Sequence, residues 1–420
     1  MTAETSTYAD GAARVIRDLR SLAALTSTPD GAQRLAWTPV WTRAREWFRA
    51  QVDALGLTVT HDAAGNAWVT LEGDSPRSVI VGSHLDSVPN GGWLDGVLGV
   101  MAGLEVLRRH ASRSTRPPLT LRVVDWADEE GARFGRSLLG SSAAAGTLDV
   151  AAVRALVDRD GTGLPDALAA HGVDLDAIGE ARRHLATIDA RAYLELHIEQ
   201  GPVLESLGES AGVVIGTFGV ERHRIRFVGQ AAHSGSTPIP MRRDALLAAA
   251  DTALACREIA RRHSTPAAGV VCTVGTVRVE PGIVTAVPGV CEISLDQRAL
   301  DADVLASMLA EAKAAAEHHA RDNGVSVEWS HIWRIEPRPF DPALIELCEA
   351  AVRTETGAAT RLPSGPLHDA AEMVLHMPVV MQFVQSSRGL SHCKEEDTPE
   401  SHLAAGIRAF LRLVDATIAC

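Results

Sequence analysis

The chain has 420 residues, 46% of them hydrophobic, and a formal net charge of −13. That length exceeds one ordinary hydrophobic core and predicts two domains. The acidic balance, with no basic cluster to track phosphates, argues against nucleic acid as a partner, and no apolar run is long enough to cross a membrane. Six scattered cysteines with no CxxC pair suit a reducing compartment. With acids and no basic-then-apolar leader at the N-terminus, a cytoplasmic location is expected.

Residues 10 to about 54 read as two amphipathic helices joined by a Pro/Gly-containing connection. The next stretch, LGLTVTHDAAGNAWVTLEG, alternates as a hairpin with its turn at Asp62 to Asn66. Residues 79–100, VIVGSHLDSVPNGGWLDGVLGV, give a short β-branched run stopped by Gly82, a loop rich in Pro, Asn and Gly, and an apolar pattern at helical spacing from Val97. His84 stands at the strand end and Asp95 at the far end of the loop, where open α/β sheets usually place their ligands. Imidazole and carboxylate on one loop suit a divalent cation such as Zn²⁺, Mn²⁺ or Co²⁺, and Asp86 is placed to hold the other ring nitrogen of His84. Taken alone, the same residues also describe a strand cap and a solvated loop.

Residues 119–140, LTLRVVDWADEEGARFGRSLLG, alternate as a strand that runs into Asp125, Asp128, Glu129 and Glu130. Four acids within six residues repel one another unless something positive sits among them. Beside the His84/Asp95 loop, adjacent Glu129 and Glu130 allow two roles, one binding a cation and the other taking a proton from water. Residues 141–190 read as helical and polar, with His171 and His184 expected on the surface. In RAYLELHIEQGPVLE, Tyr193, Glu195 and His197 share one face of a strand, which makes His197 a third ligand candidate.

The order HLDSV…GGWLDG, DEEGARFG, HIEQGPVLE resembles the hydantoinase/carbamoylase branch of the dinuclear M20-type metallohydrolases over nearly the whole chain. That branch includes N-carbamoyl-L-amino-acid amidohydrolases, β-ureidopropionases and allantoate amidohydrolases. The implied fold is α/β, with a larger catalytic domain (1–211 and 326–420) built on a mixed sheet flanked by helices. An α+β lid, also the dimerisation domain, is inserted at 212–325, where the sequence itself reads as β-β-α-β-β-α. SVEWSHIW, PALIELCEAAV and PVVMQFV are expected to return to the first domain and rebuild its sheet.

The resemblance assigns His84, Asp95 and His197 to one metal ion and Asp95, Glu130 and His392 to the other, with Asp95 bridging. Two divalent ions per subunit are implied, Zn²⁺ or Mn²⁺ first and Co²⁺ or Ni²⁺ next. Glu129 is the expected general base and Asp86 the support of His84. His233, in GQAAHSGSTPIP, is implied to reach the partner subunit's active site and stabilise an oxyanion. Gln200 is implied to contact the ureido group and Arg298 the substrate carboxylate, a role suited to a planar guanidinium; an ion pair at the rim is the plainer reading of Arg298.

Two departures from the family pattern fall on the substrate pocket. Thr285 stands where an Asn is usual, and His368 and Asp369 are preceded by Pro366-Leu367 in place of a small, Gly-rich turn. Cys393, beside His392, reads as a small buried residue. The resemblance implies hydrolysis of a linear C–N bond in a small anionic ureido or amide substrate by a homodimer. Hydrolysis of an N-acyl amino acid or dipeptide at the same metal site is the alternative.

Overall fold

The computed structural model describes residues 3–265 and 269–419. The chain divides into two compact units, Met1–Ile215 with Phe340–Arg361 and Pro366–Cys420, and Gly216–Pro339 with Leu362–Gly365.

The larger unit is built on a mixed sheet. Its strands lie in the order Ala211–Thr217, Val379–Val384, Ala190–Ile198, Ser75–His84, Leu119–Trp126, Ala67–Leu71 and Val59–His61. The four from Val379–Val384 to Leu119–Trp126 run parallel, and antiparallel strands close both sides. Parallel strands covered on both faces read as continuous apolar runs, and Ala192 to Ile198 are buried without interruption. The helices Ala3–Thr26, Pro39–Asp53, Val97–Ala111, Pro342–Thr356 and Glu400–Ala419 flank the sheet. Thr38 and Asp341 cap the second and fourth of these, each followed by Pro at the first helical position. Among the described residues no helix is long and apolar enough to cross a membrane.

Several expectations move. The strand expected to stop at Gly82 runs from Ser75 to His84, with Gly82 interior to it. His171 and His184 are half-buried rather than surface residues: His171 meets Trp37 and Trp41 edge-on, with ring centroids 5.7 Å away in each case, and His184 lies 5.0 Å from the Trp68 ring. Cys393 is half-buried rather than buried.

The smaller unit holds a five-stranded antiparallel sheet. Val271–Thr273 and Val277–Glu280 both pair with Val290–Ala299, which pairs with Gly219–Val228, which pairs with Ser326–Ile335. Burial alternates strictly along Val290–Ala299, so one face carries Cys291, Ile293 and Leu295 against Ala248, Ala249, Met308 and Ala312 of the helices Ala245–His263 and Ala302–Asp322. The expected return to the first domain at residue 326 is therefore displaced to Phe340. SVEWSHIW pairs with Gly219–Val228, with a bulge between His331 and Trp333, and cross-strand pairing of this kind is invisible in a single strand's pattern. In turn Ala211–Thr217 pairs with Val379–Val384 in the large sheet.

Candidate metal centre

The ends of three parallel strands and two loops converge in the larger unit. His84 ends the Ser75–His84 strand and His197 lies one residue before the end of Ala190–Ile198. Asp95 precedes Val97–Ala111, while Glu129 and Glu130 follow Leu119–Trp126. His392 arrives on the loop before Glu400–Ala419. Ligand atoms of His84, Asp95 and His197 all lie within 4.8 Å of one another, and so do those of Asp95, Glu130 and His392.

Asp95 faces both groups. Its Oδ1 is 3.1 Å from His197 Nε2 and 3.8 Å from His84 Nε2, while its Oδ2 is 3.2 Å from His392 Nε2. Glu130 Oε2 stands 3.4 Å from His392 Nε2, and Glu129 Oε2 3.6 Å from His84 Nε2. The imidazoles are oriented from behind. Nδ1 of His84 donates to the backbone carbonyl of Asp86 at 3.1 Å and Nδ1 of His197 to that of Ile198 at 2.9 Å, which leaves each Nε2 turned inward. Gly96 has φ +67°, and a Cβ there would fall 2.3 Å from the His84 ring, so only glycine admits the ring.

Asp86 supports His84 through its main chain, since its carboxylate is 3.6 Å from the ring. That carboxylate instead accepts from the backbone N–H groups of Glu129 at 3.2 Å and Glu130 at 3.1 Å, fixing the turn that carries both acids. Asn66 braces the same turn, accepting from Ala127 N and donating to Gly140 O. Of the four acids in the run, Asp125 is paired with Arg45 at 2.7 Å and Asp128 accepts from Trp37 Nε1 at 2.8 Å, so protein partners hold two of them. Among the described residues, Glu129 and Glu130 bond no arginine or lysine, and the ion-pair partners they face are the histidines His84 and His392.

Electrostatics follow from that crowding. Burial, reinforced by Asp369, Glu130 and Asp86, holds the Glu129 carboxyl well above the usual range despite nearby His84. Burial and then Asp95 push Glu130 up to about 7. Burial opposes charge on Asp95 as well, but its bonds to His197 and His392 win and keep it well below the usual range. The hydrogen bond to Asp95 raises His392 to about 9. Buried carboxylates and inward-facing imidazole nitrogens, with Asp95 common to both groups, make a donor set suited to divalent cations of the Zn²⁺ or Mn²⁺ type.

A cavity of about 220 Å³ opens over the two groups, walled by Ser137, Gln200, Pro366, Leu367 and His368. Gln200 is committed to the cluster: its Nε2 donates to Asp95 Oδ2 at 2.8 Å. His368 is 2% exposed, and its ring packs 4.4 Å from that of His197. With Glu195 it forms a third grouping around His197, but Glu195 already accepts from Ser83, Tyr193 and the backbone of Ala370. A fourth, His318, His319 and Asp322, lies on the helix Ala302–Asp322 of the smaller unit.

Three expected residues belong to the smaller unit. His233 is exposed, pairs across a two-residue ladder with Ala286, and accepts at Nδ1 from Gly235 N. Thr285 is exposed next to that ladder, and its carbonyl accepts from Ser234 N. Arg298 is ion-paired with Asp296 at 2.9 Å and donates to Gly365 O at 3.1 Å.

Two residues that sequence reasoning passed over sit against the cluster. Arg34 is fully buried and donates from Nε to Leu85 O; burial lowers its guanidinium to about 10 against the opposing charges of Glu396, Asp86, Asp95 and Glu130. Glu396 is buried and accepts from the backbone of the Asp95 loop. Neither carries a motif: Arg34 lies in an irregular connection and Glu396 in a run of charges.

Similarity to known proteins agrees with this geometry. The model of peptidase family M20/M25/M40 matches residues 80–416. The chain is 36% identical over 386 residues to an N-carbamoyl-L-amino acid amidohydrolase of Geobacillus stearothermophilus, covering 91% of this chain and 93% of the relative. It is 34% identical over 387 residues to an allantoate amidohydrolase of Escherichia coli, covering 90% and 91%. The crystal structure of a hydantoinase/carbamoylase family amidase from Burkholderia multivorans superposes with a TM-score of 0.85 at 32% identity, covering 97% of this chain and 98% of that one. With two histidine-carboxylate groups joined at Asp95 and the family match spanning all five of their residues, the chain belongs to peptidase family M20/M25/M40.

Proposed function

We propose that the protein is a dinuclear metal-dependent amidohydrolase that cleaves a linear, non-peptide C–N bond of an N-carbamoyl amino acid or a related ureido carboxylate. The observation that carries this reading is Asp95, whose two oxygens face two separate histidine-containing groups. His84, Asp95 and His197 would hold one ion, and Asp95, Glu130 and His392 the other, Zn²⁺ or Mn²⁺ before Co²⁺ or Ni²⁺. The named amidohydrolase relatives support the choice of a ureido group.

When bound, a pair of divalent cations makes water acidic enough to ionise near neutral pH and polarises the carbonyl under attack. Glu129 takes the proton of the attacking water and returns it to the departing nitrogen. A carboxylate with a raised pKa is matched to that shuttle. Asp86 holds the Glu129–Glu130 turn in place through the two backbone N–H groups. Gln200 fixes Asp95 Oδ2 from the pocket side, and its buried amide oxygen, which bonds no described residue, is left for the ureido group. His368 backs His197. Arg298 is the residue assigned to the substrate carboxylate, exchanging its present bond to Asp296, and Thr285 offers the substrate no side-chain amide. One water consumed yields the amino acid, ammonia and carbon dioxide.

In this reading the smaller unit is a lid that pairs two subunits, and the partner subunit's His233 stabilises the oxyanion as it forms. Its exposure on a short ladder supports that assignment. A homodimer in the cytoplasm is the corresponding state, in keeping with the five described cysteines all being free. The test is ammonia release by metal-stripped protein reloaded with Mn²⁺ or Zn²⁺. N-carbamoyl-L-amino acids, β-ureidopropionate and allantoate would run beside N-acetyl amino acids and dipeptides. Metal-dependent ammonia from a ureido compound is expected; free amine from the acyl compounds alone would contradict the reading. Mixing Glu129→Gln with His233→Ala protein is expected to restore part of the activity through hybrid dimers, and no recovery after verified subunit exchange would contradict the shared site.

A further inference from the structure

We infer that Glu396 is a positioning residue that sets the Asp95 carboxylate across the two cation positions; the inference rests on the dinuclear reading. Glu396 is 1% exposed although its neighbours Glu395 and Asp397 are exposed. Its Oε1 accepts from the backbone N–H groups of Leu94 and Asp95, each at 3.1 Å. Its Oε2 lies 3.0 Å from Ser391 Oγ, and that hydroxyl lies 3.0 Å from Asp95 Oδ2. A hydroxyl has one proton, so Ser391 donates to one carboxylate at a time while accepting from Gln200 Nε2 at 3.1 Å. Gly92 completes the seat: a Cβ there would fall 2.0 Å from the Glu396 carboxyl carbon.

Residues 92–95 and 391–396 are neither helix nor strand, so the N–H groups of Leu94 and Asp95 have no ladder to satisfy them. Glu396 supplies both with a charged acceptor, the stronger kind of hydrogen bond. The same side chain ties the Asp95 loop to the loop that delivers His392. Its removal frees Asp95 to turn about its own backbone and detaches it from His392, so the group Asp95–Glu130–His392 loses more than the group Asp95–His84–His197, whose two histidines sit on strands.

The experiment measures Zn²⁺ bound per subunit by elemental analysis over a chelator-buffered series of free metal. It uses stripped full-length protein and its Glu396→Ala, Glu396→Gln and Ser391→Ala variants. Two binding steps are expected for the unaltered chain. Glu396→Ala is expected to leave the tighter step within a few-fold and weaken the other about 10- to 100-fold, the usual range for an outer-shell partner. Glu396→Gln retains a carbonyl oxygen for both N–H groups and is expected to recover most of that loss, while Ser391→Ala shows a smaller loss in the same step.

A single step in the unaltered chain overturns the dinuclear reading itself. Two steps there, with Glu396→Ala unchanged or with both steps weakened equally, overturn the positioning role alone. If Glu396→Ala fails to fold by circular dichroism, Ser391→Ala decides: selective weakening of one step supports the inference, and two unmoved steps overturn it.

Discussion

Two acid-bearing places in the larger unit solve the same problem in opposite ways. At the C-terminal helix, Asp415 accepts from Tyr8 at 2.7 Å, Arg109 at 2.9 Å and His110 at 3.0 Å. Burial opposes its charge, but His110, Arg109 and Tyr8 outweigh burial and bring the carboxyl down to about 2. At the pocket, Glu129 and Glu130 are pushed up by burial and by neighbouring carboxylates, Asp369 first for Glu129 and Asp95 first for Glu130, and among the described residues no lysine or arginine is bonded to either. The first place is complete as protein. The second is left short of positive charge, which is what a cation site requires and a purely structural acid cluster does not tolerate.

The contrast is sharpened most by removing the base. Glu129→Gln is expected to lower turnover by about 10²- to 10⁴-fold, the usual weight of general-base catalysis, while both cations stay bound. Metal content by elemental analysis beside ammonia release checks it, and near-normal turnover would show that another group takes the proton.

The next effect is on stability. Raised folded values at Glu129, Glu130, His84, His197 and His392 mean that the native cluster holds more protons than the unfolded chain from about pH 4.5 to about 9. Without cations, the cluster's contribution to stability therefore falls as pH rises through that window. Cations bind the deprotonated groups, so the gap in melting temperature between loaded and stripped protein is expected to widen from about pH 5.5 to about pH 8. A gap that stays constant would argue that the acids are not the ligands.

Asp415 behaves in the opposite sense. Its folded value is depressed, so its contribution is complete above about pH 4 and fades as pH falls toward about 2. Asp415→Asn is expected to cost about 1–3 kcal/mol in denaturant unfolding and to leave metal content unchanged; a loss of metal would mean that the two places are coupled. The smallest effect is expected at the pocket wall. Leu367→Ala enlarges the cavity and is expected to shift kcat/KM toward bulkier ureido substrates by about tenfold, read from the ratio across a side-chain series.

The site was more legible in the sequence than the fold around it. His84, Asp95, Glu129, Glu130 and His197 stand at strand ends or loops where polar residues interrupt an apolar run, whereas His392 lies in a polar run and only the family resemblance points to it. Glu396 did not, because burial singles out one acid from Lys394-Glu395-Glu396-Asp397 only after the chain has folded. Arg34 was hidden for the same reason. Asp86 was expected behind His84, but its carboxylate is taken by two backbone N–H groups, a contact that side-chain spacing does not reveal. The strand Ser326–Ile335 was assigned to the wrong unit because an alternating pattern gives a strand its faces and leaves its partners open.

The central claim is that Asp95 joins two catalytic cations, and it is met most directly by ammonia release from a ureido substrate measured against metal bound per subunit. Activity that stays low through the first equivalent and plateaus at the second is the predicted result. A plateau at one equivalent, or ammonia release that survives complete stripping, would contradict it.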